Sequence, residues 1–350
     1  MLEKVGDLKS ERIEKIVDHL RVRMDKKRAA SVEQFVRLFY QRATAEDLVE
    51  STAENLYGSA LSLWKFAEQR EPGTPKVRVI NPRVDEQGWR SSHTVIEIVH
   101  DDMPFLVDSV TSNLNRKGYT VHLVIHPIIR VKRDDKGHLL EVISGKSRAK
   151  KSDIVTESHM HVEVGAQSSP DVLQEIQEMI QAVLIDVQYA VQDWRTMLTK
   201  VDEAVAELRD NPPPVAEEET QETISFLEWL ADNHFTFLGY REHTHKAMAK
   251  RATHKAVEGS GLGVLRNPDF HVLANTKGGL TELSDEVKYF LGLSEPVIVT
   301  KANVRSTVHR AVHMDYIGIK TFDSKGKVNG ERRFVGLFTS VAYNQTPEQI

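Results

Sequence analysis

The sequence predicts an α+β protein with two modules, each built around an antiparallel sheet. Three observations predict this class. The first seventy residues carry helical patterns only, two later regions alternate apolar and polar residues as strands do, and a long heptad pattern separates these regions. The boundaries that we expect are a helical segment over 1–75, a sheet module with its long helix over 76–210, a linker over 211–222 and a second sheet module over 223–350.

The N-terminal segment predicts several helices. Ser31 with Gln34, and Thr44 with Asp47, have the spacing of a capping box, in which each of two side chains accepts a bond from the other residue's backbone amide. Over 48–70, apolar residues recur at alternating spacings of four and three, as on one face of a helix. A Pro-Gly-Thr-Pro run follows and signals the end of that helix.

The first sheet module begins where the period changes to that of strands. The elements that we predict are strands over 77–79 and 94–99, a helix over 104–117, a long strand over 119–131, a return strand over 139–143 and a strand over 158–164. This order of strand, helix, hairpin, strand and helix predicts one antiparallel sheet with helices on one face.

The strongest periodic pattern in the chain predicts helix over 173–208. Apolar residues there alternate spacings of three and four through roughly five heptads, or about 55 Å of helix. One interpretation is two consecutive helices packed on a core. The other is a single helix long enough to leave its module and pack against a neighbouring module or subunit, because few capping signals interrupt the pattern.

The second module follows a linker rich in proline and glutamate. Its predicted elements are a helix over 223–232 and strands over 235–241, 297–301, 307–312, 316–322 and 333–343, the last two joined by a glycine turn. The basic stretch 242–258 has no clear period. Thr346-Pro347-Glu348 predicts the start of a further helix. We expect a truncated sequence here, because a natural terminus rarely lies one turn into a helix.

Composition excludes several classes of function. The absence of cysteine excludes disulfides, thiolate metal sites and cysteine nucleophiles, and it fits a reducing compartment. The net charge of −5 gives no reason to expect a nucleic acid or an acidic membrane as partner. The sequence shows neither a signal peptide nor the ~20 consecutive apolar residues that cross a membrane. We therefore expect a soluble, cytoplasmic protein.

Three motifs that resemble binding sites have an ordinary structural explanation. The glycines of 259–263 have G-x-G-x-G spacing instead of the G-x-G-x-x-G of dinucleotide loops, without a buried strand before them or a clear helix after them, so we expect a flexible loop. The cations over 146–151 and 241–255 have no interleaved aromatic residues and predict solvated loops instead of an RNA surface. Trp194 and Trp229 lie among apolar neighbours at helical spacing and are predicted core residues.

The histidines allow a test for a metal site. His159 and His161 share one face of a predicted strand, as do His122 and His126 if their strand is regular. A zinc site with three histidines would need such pairs to converge, with carboxylates behind them. Histidines on a half-buried sheet face usually form local hydrogen bonds, and we predict local bonds and no metal.

A loop between a predicted strand and a predicted helix is the candidate binding site. Unpaired backbone amides at a helix N-terminus can hold a carboxylate. The preceding aspartates can either cap the helix, which we favour, or hold an α-amino group. The residues that we assign to an effector site are Asp101, Asp102, Met103, Pro104 and Phe105. We assign no catalytic residue in this chain.

Seven sequence blocks carry a family resemblance. They are 93–110 (HTVIEIVHDDMPFLVDSV), 118–137 (GYTVHLVIHPIIRVKRDDKG), 157–164 (ESHMHVEV), 237–242 (FLGYRE), 300–310 (TKANVRSTVHR), 315–323 (DYIGIKTFD) and 332–343 (RRFVGLFTSVAY). In this order they resemble the N-terminal region of the large NAD-specific glutamate dehydrogenases of bacteria. The similarity extends from about residue 30 to the last residue.

The resemblance implies a segment of a very long enzyme that converts L-glutamate, NAD and water to 2-oxoglutarate, ammonium and NADH. It implies an ACT-like module over 76–210 and a PAS-like module over 223–350. NAD would bind to a dehydrogenase domain further along the chain, so that this segment alone would be inactive. The implied partners are the remainder of the same chain, further copies in a homo-oligomer and an amino-acid effector.

The candidate loop itself resembles the D-x-P-G-L-L ligand loop of ACT domains that bind amino acids. Asp102 matches the aspartate and Pro104 the proline, whereas Phe105 stands at the glycine. Glycine there lets a ligand approach the backbone, so Phe105 favours a structural loop that packs against another module. Two alternatives to an enzyme segment therefore stay open: a free-standing amino-acid sensor, and a scaffold that binds no ligand.

Overall fold

The structure is a computed structural model that describes residues 2–24, 26–49, 51–143, 153–248, 251–268, 270, 272, 281–282 and 295–343. The chain divides into two compact units, Met1–Leu184 and Ile185–Ile350. The division falls inside the longest helix, so each unit contains part of it. The domain boundaries expected at 75 and 210 stay a prediction. Among the described residues, no helix is both long and apolar enough to cross a membrane.

Four helices begin the first unit: α1 (Leu2–Arg23), α2 (Lys26–Tyr40), α3 (Ala45–Val49) and α4 (Ala53–Ala67). The capping box of Thr44 and Asp47 is confirmed, because the amide of each donates to the side chain of the other at 3.1 and 3.2 Å. The capping box of Ser31 and Gln34 is wrong, because both residues lie inside α2. The Gln34 side chain instead donates to the carbonyl oxygen of Val142 at 2.8 Å.

The helix predicted over 48–70 consists of two helices. α3 ends at Val49, and Thr52 begins α4 by accepting a bond from the amide of Asn55 at 3.2 Å. The backbone of Thr52 is extended, so the chain changes direction there. Leu48 and Leu56, on either side of the break, belong to the same apolar core, which explains why the periodicity continues across it.

Within the described part of the chain, the sheet of the first unit has six strands: β1 (Lys76–Ile80), β2 (Thr94–Asp101), β3 (Val121–Ile125), β4 (Ile128–Arg133), β5 (Leu139–Val142) and β6 (Ile154–Val164). Every pairing is antiparallel, in the order β1-β2-β6-β4-β5, with β3 also paired to β6. Two helices belong with it, α5 (Val84–Gln87) and α6 (Leu106–Arg116). The antiparallel sheet with helices is confirmed.

The long strand predicted over 119–131 is interrupted at its middle. β3 and β4 both pair with β6, and His126 and Pro127 lie between them. Proline has no amide hydrogen to donate to a neighbouring strand. The Pro127 carbonyl oxygen still accepts a bond from the amide of His159 at 3.1 Å, so the break is short.

One face of this sheet packs against the N-terminal helices. Val99, Ile129 and Val131 share an apolar core with Phe35 of α2 and Leu63 of α4. Alternate residues of a strand share a face, so the polar residues at alternate positions of β2 and β6 lie on this covered face as well. They include Glu97, Asp101, Glu157, His159, His161 and Glu163. The core between helices and sheet is therefore partly ionic.

The region predicted as one long helix or two is a single helix, α7 (Pro170–Asp210), of 41 residues. Most heptad positions are buried, among them Ile176, Ile180, Val187, Met197 and Val201. Trp194 is an exception: 46% of it is exposed, and the prediction of a core residue is wrong. Its neighbour Asp193 is buried instead, because it binds groups of the second unit at this turn.

As far as the structure describes its residues, the second unit pairs the rest of α7 with α8 (Glu217–Trp229) and a seven-stranded antiparallel sheet. A π-turn, Leu230–His234, leads into the strands β7 (Phe235–Met248), β8 (Arg251–Ala256), β9 (Leu262–Gly263), β10 (Thr281–Glu282), β11 (Val297–Arg305), β12 (His313–Phe322) and β13 (Val328–Phe338), with a short helix α9 (Ser340–Tyr343). The order is β10-β8-β7-β13-β12-β11, and β9 pairs with β7. The predicted fold class is confirmed, whereas likeness to a PAS domain stays a prediction.

Three stretches of this unit differ from the sequence prediction. α8 begins at Glu217, within the stretch expected as a linker. The stretch 242–258 is mostly a hairpin of β7 and β8, whose polar side chains conceal the strand pattern. The strand predicted over 307–312 is a loop, closed by a bond from the Ser306 amide to the Val312 carbonyl oxygen at 2.8 Å. The predicted helix start at 346–348 lies outside the described residues.

Candidate functional site

β2 leads directly into the loop of the predicted effector site. Asp101 ends β2 opposite Glu157 of β6, and the amide of Asp102 donates to the Thr156 carbonyl oxygen at 2.9 Å. α6 begins at Leu106, two residues later than predicted, so the loop is four residues long. The sheet therefore fixes the start of the loop and the helix fixes its end.

Phe105 occupies the N-cap position of α6 in the left-handed conformation, with φ 72°. A side chain in this conformation costs roughly 1–2 kcal/mol, whereas glycine adopts it freely. The loop thus keeps the backbone geometry expected of the glycine in the D-x-P-G-L-L pattern. Among the described residues, no side chain makes a capping hydrogen bond at the start of α6, so capping by Asp101 or Asp102 is wrong. The hydroxyl of Ser109 instead donates to the Phe105 carbonyl oxygen at 2.6 Å.

The carboxylate of Asp101 belongs to a buried ionic network. Arg70, only 2% exposed, donates to Asp101 and lies 3.2 Å from Glu157. Arg133 donates two hydrogen bonds to Glu157, at 2.7 and 2.8 Å, and His159 contacts it at 3.1 Å. An α-amino group would have to compete with Arg70 for Asp101.

The charge state of this network follows from its contacts. Burial alone would raise the pKa of Glu157, but the hydrogen bonds from Arg133 and His159 outweigh burial and hold that pKa at about 2. Burial lowers the pKa of His159, more strongly than Glu157 raises it. At neutral pH the network therefore consists of an ionised Glu157, two arginines, an aspartate and a neutral imidazole.

The network forms one wall of an open cleft of about 700 Å³. Arg70, Asp101, Arg133 and Glu157 line it together with Lys132. A cleft with paired charges of both signs suits a zwitterion better than an apolar ligand.

The rest of the predicted effector loop stays outside this network. Asp102 and Pro104 are exposed, and Met103 and Phe105 are half-buried. The carboxylate of Asp102 acts on His126 by raising its pKa, although burial, the larger effect, leaves that pKa below its ordinary value. The structure therefore separates the five predicted residues: Asp101 is bound within the protein, and Asp102 faces solvent.

The prediction of local hydrogen bonds for the histidines of β6 is confirmed. His159 is fully buried against Glu157, and His161, 1% exposed, contacts Glu163 at 3.2 Å. His122 and His126 do not converge: the first stacks on His93, and the second contacts the Ser158 hydroxyl at 2.6 Å. Among the described residues, no group of three histidine, aspartate or glutamate side chains has the arrangement of a metal site.

The glycine-rich stretch 259–263 forms a packed turn instead of the flexible loop that we expected. Gly263 pairs with Gly239, and its amide donates to the buried carboxylate of Asp193 at 2.7 Å. A Cβ atom at Gly263 would lie 2.1 Å from the Leu238 carbonyl oxygen, so glycine is required for close backbone packing. Arg266 also donates to Asp193, at 2.6 Å.

The prediction of solvated loops for the two basic stretches can be compared with the structure for only one of them. The cations over 146–151 lie outside the described residues. Arg241, predicted in a solvated loop, is 7% exposed in β7, and its guanidinium donates to the carbonyl oxygens of Leu265 and Asn267. Trp229, predicted as core, is half-buried and stacks on His234 at 4.5 Å between ring centres.

Three residues of the network, Arg70, Arg133 and Glu157, were not predicted from the sequence. A signal for them exists in the alternation Glu-x-His-x-His-x-Glu of β6, which places four titratable groups on one face of a strand. Titratable groups on a buried face require opposite charges beside them. That requirement points to buried arginines, although it does not identify which ones.

Comparison with known proteins adds the family. Residues 35–180 match the model of the glutamate dehydrogenase ACT1 domain. NAD-specific glutamate dehydrogenases of Halomonas elongata and Pseudomonas aeruginosa are 37% and 36% identical to the chain over 97% and 91% of its length. The chain belongs to the glutamate dehydrogenase family. It spans about a fifth of the length of these relatives, 21% and 19% respectively.

The glutamate dehydrogenase match confirms the resemblance that the sequence blocks showed. A third relative, the NAD-specific glutamate dehydrogenase of Mycobacterium tuberculosis, is 27% identical over 71% of the chain. The ACT1 match includes the candidate loop, the cleft and the whole sheet of the first unit. The ionic network is therefore part of a glutamate dehydrogenase ACT1 domain.

Proposed function

We propose that this chain is a regulatory and assembly segment of an NAD-dependent glutamate dehydrogenase, inactive by itself. The observation that carries the proposal is the match to the ACT1 domain over residues 35–180. In the full-length protein, L-glutamate, NAD and water would give 2-oxoglutarate, ammonium and NADH, and NAD would bind to a domain outside this chain. The proposed partners are the remainder of the enzyme and further copies of it in a homo-oligomer, in the cytoplasm.

Activity measurements test the first part of this proposal. We expect the 350-residue chain to produce no NADH from glutamate and NAD. A longer chain from the same coding sequence, carrying the dehydrogenase domain, should produce it under the same conditions. Turnover by the 350-residue chain would contradict the proposal, and so would a full coding sequence that ends at Ile350.

The effector site of this segment is proposed at Asp101–Phe105 and the adjoining cleft. Support comes from the left-handed backbone at Phe105, the exposed carboxylate of Asp102 and the paired charges of the cleft. Thermal unfolding with each amino acid at millimolar concentration tests it, because a ligand at a hundred times its Kd adds roughly 2.7 kcal/mol of stability. A selective rise in Tm that Asp102→Ala abolishes supports the site.

A scaffold that binds no ligand is the second candidate. It is favoured by the ion pair that already occupies Asp101 and by the phenylalanine side chain at the glycine position. The variant Phe105→Gly separates the two. If the phenylalanine side chain blocks a binding site that is otherwise intact, an amino acid raises the Tm of Phe105→Gly but not the Tm of the wild-type chain. If no amino acid shifts the Tm of either protein, the loop is structural.

A further inference from the structure

A histidine of the first unit lies between the buried ionic network and the aromatic side chains of the N-terminal helices. His159 of β6 is fully buried. Its Nε2 atom lies 3.1 Å from the carboxylate of Glu157, and its ring packs edge-on against Phe35 of α2 at 5.6 Å between ring centres. Phe35 packs in turn against Trp64 of α4 at 5.4 Å between ring centres. The imidazole therefore connects the sheet to the helices that cover it.

The position of the hydrogen on this ring follows from its contacts. Glu157 is ionised and can only accept, so the Nε2 atom of His159 is the nitrogen that donates. The other nitrogen, Nδ1, is buried and has no hydrogen-bond partner. As a bare nitrogen, Nδ1 is an unused acceptor. A proton on it would create a buried, charged donor with nothing to bind, which costs considerably more. The packing therefore accommodates the neutral imidazole and disfavours the imidazolium.

The charges around His159 already balance while its ring is neutral. They belong to two guanidinium groups and two carboxylates, which are bound to one another. A proton on the ring would add a cation that this buried set does not compensate. The contact from α2 is the ring of Phe35. The charged or titratable groups in these surroundings are Glu157 on the same strand, Arg70 ahead of β1, Arg133 on β4, Asp101 on β2 and His126 between β3 and β4.

We propose that His159 makes the packing of the N-terminal helices on the sheet sensitive to acid, so that protonation of its ring loosens α2 and α4 from β6. Such a contact would let acidification act on this segment without any ligand. The inference concerns the folded first unit, and it depends neither on an amino-acid effector at Asp101–Phe105 nor on dehydrogenase activity.

The pH range of this effect follows from the direction in which the ring is perturbed. Burial lowers the pKa of His159, more strongly than Glu157 raises it. A histidine whose pKa is lower in the folded state stabilises the fold above its unfolded pKa of about 6.5, and this contribution is lost as pH falls towards the folded pKa. The helices should therefore begin to loosen near pH 6.5, far above the pKa of about 2 of Glu157.

Amide hydrogen exchange of the 350-residue chain at pH 7.5 and pH 5.5, corrected for the intrinsic effect of pH on exchange, tests the proposal. The variant His159→Gln keeps a donor for Glu157 but does not titrate. Because each pH unit below 6.5 changes the opening equilibrium by up to tenfold, protection of α2 should fall about threefold to tenfold more in the wild-type chain than in His159→Gln. His122→Gln, at an exposed position of β3, is the matched control and should lose as much protection as the wild-type chain. A difference between the wild-type chain and His159→Gln of less than about threefold overturns the proposal.

A second measurement does not depend on the folding of a variant. In side-chain ¹⁵N NMR spectra of the wild-type chain at pH 7.5, we expect His159 to carry its hydrogen on Nε2 and to have a bare Nδ1. At pH 5.5 the folded chain should keep this neutral form. An imidazolium signal of His159 at pH 5.5, together with unchanged protection of α2, would overturn the proposal. A Tm shift with an amino acid that depends on Asp102 would be unaffected by that result, so the two proposals fail independently.

Discussion

Replacing Glu157 by glutamine removes the central anion of the buried network while keeping its size. The difference between the ordinary glutamate pKa of 4.5 and a pKa of about 2 corresponds to about 3 kcal/mol of preferential stabilisation of the carboxylate. Removing one partner of a buried ion pair typically costs about 3–5 kcal/mol. Both routes lead to the same estimate, so we expect Glu157→Gln to lower the free energy of unfolding by about 3 kcal/mol.

The pH dependence gives this prediction a sign. A carboxylate whose pKa is lower in the folded state stabilises the protein above its unfolded pKa, and this contribution is lost as pH falls through the folded pKa. The stabilisation by Glu157 should therefore be complete at pH 6 and decline from about pH 4.5 towards pH 2. The stability difference between the wild-type chain and Glu157→Gln should narrow over that interval.

Urea unfolding followed by tryptophan fluorescence is the assay. In a background with Trp194→Phe and Trp229→Phe, the two remaining tryptophans, Trp64 and Trp89, both report on the first unit. Glu141→Gln, on the exposed side of β5, is the matched control and should change stability by less than about 0.5 kcal/mol. Equal effects of Glu157→Gln and Glu141→Gln, or a difference that does not change with pH, would refute the reasoning.

Two further predictions concern backbone packing and a buried acid. Gly137→Ala should destabilise the first unit by about 2 kcal/mol more than Gly118→Ala. Both glycines have positive φ, so the backbone strain of the two variants is similar. A Cβ atom at Gly137 would lie 1.8 Å from the Arg70 carbonyl oxygen, whereas one at Gly118 would have no heavy atom within 4 Å. Denaturant midpoints of the two variants check this, and equal midpoints would contradict it. Asp193→Asn should cost the second unit about 2–4 kcal/mol, because Asp193 is buried with charged and amide donors. Asp202→Asn, at an exposed position of α7, is the control and should leave the Tm of thermal unfolding unchanged. Equal Tm values for Asp193→Asn and Asp202→Asn would show that the buried acid has no structural role.

The sequence was sufficient for the fold wherever apolar periodicity decided the outcome. The strands around Val79 and Ile96, the long helix and the antiparallel pairing all have patterns that burial enforces. The sequence prediction was wrong where polar contacts, instead of apolar burial, determine the local structure. The hairpin after Glu242 has few apolar residues, and α7 turns the acid Asp193 inward at the expense of Trp194. Neither effect is visible in a hydrophobic pattern.

The candidate site was predictable only as a position along the chain. The strand, loop and helix around Asp102 follow from periodicity and from the family pattern. The ion pair between Asp101 and Arg70 joins residues that are 31 positions apart, and local sequence carries no information about it. For the same reason, the stacking of His93 on His122 emerges only from the three-dimensional arrangement.

The alternation of acids and histidines along β6 has a consequence for how the central strand finds its alignment. A slip of two residues would keep every apolar side chain of β6 on its own face, so the face on which these side chains lie does not distinguish the slipped pairing from the correct one. The same slip would move Glu157 by about 7 Å along the strand, away from Arg133. It would leave both charges buried and unpaired. The buried ionic network therefore favours the correct alignment of β6 over a pairing that is slipped by two residues.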